Sequence, residues 1–183
     1  MIRKDVCERI LISEEKINER VKELGIQITK DYKDKEVVFV SVLNGSFVFS
    51  SDLLKSVDLD CCIDFIQVST YGNSTSSSGN FVLKKDLSFD IENKHVIVLE
   101  DIIDSGYTID RLKDFLEKKK PASLKIATFI DKPARRQVDV KADYVGFVLD
   151  EDYFIVGYGL DFSQKYRNLP YIGILKPKVY ANI

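Results

Sequence analysis

Val96-Ile97-Val98-Leu99-Glu100-Asp101-Ile102-Ile103-Asp104-Ser105-Gly106-Tyr107-Thr108-Ile109 is the stretch whose reading decides the fold of this chain. An apolar, β-branched run ends in two adjacent carboxylates, passes two isoleucines to a third, and enters a helix through Ser-Gly-x-Thr. The second half suits an anion. The first backbone N–H groups of a helix lack intrahelical partners, the helix dipole is positive there, and Gly106 permits close approach. Ser105 and Thr108 add hydroxyl donors, so a phosphate monoester fits. Three carboxylates beside it would repel that phosphate unless the ligand also offers hydroxyl donors or a cation. A ribose 5-phosphate does so, with its phosphate in the turn and its 2- and 3-hydroxyls donating to Glu100 and Asp101. Magnesium, a hard cation served by oxygen ligands, would balance the charge. The plainer alternative is an ordinary helix capped by Asp104 or Ser105, with Glu100 and Asp101 solvated at a strand end. The stretch holds neither GxxxxGK[ST] nor GxGxxG, which excludes the P-loop and dinucleotide-binding readings.

On the C-terminal side, Ile109, Leu112, Phe115 and Leu116 predict a helix from about Thr108 to Lys120, stopped by Pro121. On the N-terminal side, Ser13 with Glu14 and Glu15 caps a helix whose face is Ile17, Val21, Leu24 and Ile28. Residues 37–42 (VVFVSV) read as a strand ended by Asn44-Gly45, followed by a helical stretch carrying Phe47, Phe49, Leu53 and Leu54. Further strands are expected at 61–68, 95–99, 124–130, 143–149, 154–157 and 172–175. Strands alternating with helices predict one α/β domain over residues 1–183, its mostly parallel sheet flanked by helices on both faces. Ligands then bind beyond the carboxyl ends of the strands. The segment YGNSTSSSG (71–79) is a solvated loop or a mobile flap over a reactive intermediate.

A net charge of −2 speaks against a sequence-independent grip on nucleic acid. No apolar run reaches membrane-spanning length and MIRKDVCERI lacks a signal-peptide core, so a cytoplasmic protein without a membrane partner is expected. Cys61 and Cys62, adjacent in a strand, point to opposite faces, and a single histidine (His95) speaks against zinc.

The stretch 96–109 resembles the phosphoribosyl diphosphate (PRPP) signature of type I phosphoribosyltransferases. The rest of the chain is similar to the bacterial hypoxanthine (hypoxanthine-guanine) members over essentially its full length, through VSVLNGSFVFSSDL, STYGNSTSSSG, FIDKPARR and FIVGYGLDFSQKYRNLPYIGILKP. The resemblance implies the type I fold, with a small hood from about 150–183 and a flexible flap at about 70–80 that begins at Thr70 and Tyr71. It implies transfer of the phosphoribosyl group of PRPP to a 6-oxopurine, with Mg2+, in a dimer or tetramer. Glu100 and Asp101 would hold the ribose hydroxyls and one magnesium, and Asp104 would be the general base at purine N7. Asp104, Ser105, Gly106, Tyr107 and Thr108 would cradle the 5-phosphate. Lys132 would donate to the oxygen on purine C6, Phe154 would stack on the ring, and the backbone of Ile155 would be read by its edge. Asp161 would sit beside the purine and bind a second magnesium, and Arg167 would contact the diphosphate.

The chain departs from that pattern at Asn44, where the family has lysine between leucine and glycine. Because that peptide bond is cis in some relatives and Asn tolerates unusual backbone angles, the main chain of Asn44 and Gly45 is expected to bind diphosphate in the same way. Rival readings are a xanthine-preferring relative and a nucleotide-sensing regulator on the same fold.

Overall fold

Each apolar run expected to be a strand is one in the computed structural model, which describes residues 6–71 and 80–181, the side chains of Thr70, Tyr71 and Asn80 excepted. The elements are β1 (Cys7–Ile12), α1 (Glu14–Asp31), β2 (Val37–Leu43), α2 (Phe47–Ser56), β3 (Cys61–Tyr71) and β4 (Asn80–Lys85). They continue as β5 (His95–Ile103), α3 (Tyr107–Glu117), β6 (Ser123–Asp131), β7 (Tyr144–Val148), β8 (Ile155–Val156), β9 (Ile172–Leu175) and α4 (Pro177–Tyr180).

Local chemistry accounts for the main helices. Ser13 caps α1, its side chain accepting from the amide of Lys16, with Glu14 and Glu15 at the positive end of the dipole and Lys30 in the last turn. Its buried face is Ile17, Val21, Leu24, Gly25 and Ile28. Helix α3 starts one residue earlier than expected and ends at Glu117 rather than Lys120. Past Glu117 the bonds tighten to Lys119 N–Leu116 O and Lys120 N–Glu117 O, and Lys120 takes φ +54° ahead of Pro121.

The main sheet has strand order β4-β3-β2-β5-β6-β7, parallel except for the β3–β4 pair. Val37 to Val42 are all buried, as a central parallel strand requires. Helices α1 and α2 pack on one face and α3 on the other, and Cys61 and Cys62 join these two separate apolar layers. A second, antiparallel sheet, β1-β9-β8, forms the hood. The hood is therefore not the C-terminal segment alone: β1 pairs Cys7 with Leu175 and Ile12 with Ile172, and Lys176 donates to Val6 O. Neither β1 nor β4 was expected from the sequence. Among the described residues no helix is long and apolar enough to cross a membrane.

Phe129 lies at the centre of the larger apolar layer, fully buried, with ring centroids 4.5 Å from Tyr158, 5.5 Å from Phe49 and 5.6 Å from Phe147. Phe129→Ala should destabilise the fold by about 3–5 kcal/mol. Urea denaturation checks this, and a loss of less than about 1 kcal/mol would show that the layer collapses around the gap.

Candidate active site

Strand β5 continues to Ile103, so Glu100 and Asp101 lie within its last turnless stretch and not in a loop after it. The chain then turns at Asp104–Gly106. Gly106, at φ +91°, is the residue before the first turn of α3, and that helix end carries no side-chain cap. Neither Asp104 nor Ser105 caps it, which removes the plainer alternative. A Cβ on Gly106 would also meet Val140 Cγ1 at 2.7 Å and Arg136 Cδ at 2.8 Å, so space and backbone both demand glycine. In front of the turn lies a cavity of about 230 Å³, lined by Glu100, Ile102, Ile103, Asp104, Ser105, Gly106, Thr108 and Ile109.

The turn is braced from behind. Arg136 donates to the carbonyls of Asp104 (3.1 Å), Ile103 (3.2 Å) and Val140, and pairs with Asp131. Gln137 N donates to Ser105 O at 2.9 Å, and Lys132 N to Ile103 O at 3.0 Å.

The two strand carboxylates are electrostatically expensive. Burial, then the charge of Asp101 and a hydrogen bond to it, push the Glu100 carboxyl well above the ordinary range. Burial also raises Asp101, against the bond from Glu100, the amide of Ile102 at 3.0 Å, and the nearby Arg167. Glu100 is 8% exposed and its Oε2 has no hydrogen-bond partner. An unsatisfied buried carboxyl oxygen of this kind fits a ligand hydroxyl or a hard cation.

A second cavity of about 460 Å³ adjoins the first and shares Ile102 and Asp104 with it. Its other walls include Lys132, Arg135, Asp152, Phe154, Ile155, Leu160, Asp161 and Tyr180. Lys132 is buried, not a surface lysine, and its ammonium donates to Asp152 Oδ1 (3.2 Å) and Tyr153 O (3.1 Å). Asp152 in turn accepts from Arg135 NH1 with both oxygens at 2.7 Å, and Arg135 Nε pairs with Asp104 Oδ1 at 2.7 Å. Phe154 is 43% exposed, whereas Ile155 is buried in β8.

The loop after β2 closes the third side. The Leu43–Asn44 peptide is cis. Gly45 packs against the Asp101 carboxylate so closely that a Cβ would lie 1.7 Å from Asp101 Oδ2. Beneath it, Ser46 Oγ donates to Val42 O and meets Ser41 Oγ, to which Ser50 also donates, all three serines buried. The Asn44 side chain accepts from Gln67 at 3.4 Å. Arg167 pairs with Asp161 at 2.8 Å and donates to Gly159 O at 2.7 Å.

The structure thus gathers Glu100, Asp101, Asp104, Ser105, Gly106, Thr108, Lys132, Phe154, Ile155 and Asp161 around two joined cavities, with Gly45 and Arg167 adjoining through Asp101, whereas the Tyr107 side chain lines neither cavity. Thr70 and Tyr71 end β3, paired with Phe81 and Asn80, and the flap expected beyond them (72–79) lies outside the described residues. Arg135, Asp152, Leu160 and Tyr180 escaped sequence reasoning as pocket residues. The Arg135-Arg136 doublet was a readable signal, while Asp152 and Tyr180 carry none. Among the described residues, no group of three or more His, Cys, Asp or Glu side chains could by itself hold a metal ion. Another cavity, of about 420 Å³, opens at the amino ends of β5 and β6, but its polar groups already pair with one another: Lys125 with Asp143, Tyr144 with Asp31, and His95 with Ser123.

The raised Glu100 carboxyl fixes the sign of a pH effect. The protonated form favours the folded chain, so this stability is complete below about pH 4.5 and is lost as pH rises through the folded-state value. Glu100→Gln should therefore raise the Tm at pH 7–8, with the gain vanishing near pH 4. A Tm below that of the unaltered chain at pH 7–8, measured by calorimetry, would contradict this.

The family model for the phosphoribosyl transferase domain matches residues 11–163. The chain is 48% identical over 182 residues to the hypoxanthine-guanine phosphoribosyltransferase of Bacillus subtilis, covering 100% of both, and 45% identical over 182 residues to that of Streptococcus pneumoniae, again covering 100% of both. Its structure superposes on the crystal structure of a hypoxanthine phosphoribosyltransferase from Staphylococcus aureus with a TM-score of 0.95 at 47% identity, covering 98% of this chain and 97% of that one. A likeness of this extent, over the whole chain and its fold, places the chain in the hypoxanthine-guanine phosphoribosyltransferase family.

Proposed function

We propose that this protein transfers the 5-phosphoribosyl group of PRPP to hypoxanthine or guanine, releasing diphosphate and forming IMP or GMP. The observation that carries the reading is the pair of adjoining cavities that meet at Ile102 and Asp104. One offers an uncapped helix end to a phosphate, the other a lysine and an aromatic ring to a base, and two carboxylates lie between them for a ribose.

In this reading the bond from the anomeric carbon to diphosphate breaks and a bond from purine N9 forms. The Asp104 carboxylate takes or shares the proton at N7, exchanging its present partner Arg135 for the purine. Two of the three Lys132 donors are engaged with Asp152 and Tyr153, and the third serves the oxygen on purine C6. A 6-amino group would face that donor with another donor, which disfavours adenine. Arg167, by leaving Asp161, supplies charge to the departing diphosphate, and the amides around Gly45 approach it. Glu100, Asp101 and Asp161 would hold magnesium ions that take most of their remaining ligands from substrate oxygens. When bound, such ions supply charge neutralisation to the diphosphate. A closing flap would keep water from an oxocarbenium-like transition state.

The direct test is a panel of hypoxanthine, guanine, xanthine and adenine with PRPP, each with and without magnesium. Product should form with the first two and only with the metal present; failure with both hypoxanthine and guanine ends the proposal. Asp104→Asn should lower turnover roughly 10²-fold or more while leaving the PRPP KM nearly unchanged. Near-normal turnover would remove Asp104 from the base role. Lys132→Ala should raise the purine KM roughly 10- to 100-fold, the loss of a hydrogen bond from a charged donor, and an unaltered base preference would contradict its placement.

A further inference from the structure

Tyr180 reaches the base cavity from α4, the element farthest along the described chain. Its ring lies against Phe154 with centroids 5.3 Å apart and planes 19° from parallel, while Phe162 meets the same Phe154 ring edge-on at 5.5 Å and 85°. A flat ring has two faces, and Tyr180 covers one. Phe154 nevertheless stays 43% exposed, so its remaining surface is open. The cavity of about 460 Å³, with Lys132 and Asp104 in its wall, exists with Tyr180 in place. Tyr180 is therefore part of the wall and not a plug. Ile102 and Leu160 add apolar surface to the same cavity.

Phe154 needs such support. It sits just before the two-residue strand β8, in a segment without regular structure, and its backbone is pinned through Leu175 N to Phe154 O at 2.8 Å. That bond fixes the main chain and leaves the ring to rotate. An exposed aromatic that must be ordered when its ligand arrives loses affinity to that ordering. A ring already stacked on one face has been ordered beforehand. Tyr180 is itself anchored: α4 follows β9 directly, Lys176 N donates to Val6 O at 3.0 Å, and Val179 and Tyr180 pack on the hood's apolar cluster.

We propose that Tyr180 is a positioning residue for the purine, holding the Phe154 ring in the plane on which the base stacks. This rests on the phosphoribosyl-transfer reading and adds to it a residue that touches Phe154 instead of the reacting atoms.

The experiment is steady-state kinetics with hypoxanthine and PRPP varied in turn, on the unaltered chain, Tyr180→Ala, Tyr180→Leu and Tyr180→Phe. Loss of the ring should raise the hypoxanthine KM roughly three- to tenfold, the scale of an aromatic pair, with much smaller changes in the PRPP KM and kcat. Tyr180→Phe, which keeps the stack, should restore the hypoxanthine KM. A merely structural role would move both KM values and kcat together in Tyr180→Ala and Tyr180→Leu, and that result overturns the proposal. So does an unchanged hypoxanthine KM in both, or a lowered one, which would make Tyr180 an obstruction. If the unaltered chain itself forms no IMP, the underlying reading fails instead, so the two failures are told apart.

Discussion

The guanidinium of Arg136, drawn onto the carbonyls of Ile103 and Asp104 from behind the turn, is the interaction on which the rest of the site depends. A helix end without a side-chain cap leaves its first amides to find partners elsewhere. Here the carbonyls that precede those amides are satisfied on the far side, by Arg136 and by the amide of Gln137, and the turn itself lines the cavity. Asp131 neutralises the arginine, which makes a half-buried cation tolerable at that place. The same loop carries Lys132, whose own amide bonds to Ile103. The group that would read the base and the turn that would hold the phosphate are thus mounted on one frame, and the span between them is set by hydrogen bonds instead of by flexible side chains.

Charge in the site is largely settled internally. Asp104, Arg135, Asp152 and Lys132 form one chain of ion pairs along the wall of the base cavity, and Asp161 and Arg167 form another pair. Glu100, deep in the strand, keeps a carboxyl oxygen with neither a hydrogen bond nor an ion pair, while its neighbour Asp101 is held against the glycine of the β2 loop. Ligand groups entering such a site exchange one partner for another at most positions. At Glu100 they satisfy a group that the fold alone leaves unsatisfied, and departures from internal consistency concentrate at functional sites in this way.

How much was legible depends on how far along the chain each part is assembled. The phosphate end lies within residues 100–109, so strand, turn glycine and helix face were all readable as one pattern. The base end is drawn from residues 102, 132, 135, 152–155, 160, 161 and 180, and no local pattern announces that Asp152 neutralises Lys132 or that Tyr180 meets Phe154. Lys132 stands among Pro133, Arg135 and Arg136 and looks like a surface turn, yet it is buried because its counter-charge comes from twenty residues away. The two strands that were missed are both at sheet edges. In β1 the residues Glu8, Arg9 and Ile10 are all exposed, which erases the alternation that would mark a strand. The extension of β5 through Glu100 and Asp101 was hidden because paired acids ordinarily end a strand.

The pairing of β1 with β9 has a kinetic consequence. The turn after β5 forms from β5, α3 and β6, neighbours in the chain that close short loops. The hood is complete only when Cys7 and Leu175 meet across nearly the whole polypeptide. Loop-closure entropy grows with separation, and non-local strand pairing is slow. During synthesis the hood can close only after β9 has left the ribosome, so the frame around the turn after β5 is complete in sequence well before the wall that carries Phe154 and Tyr180.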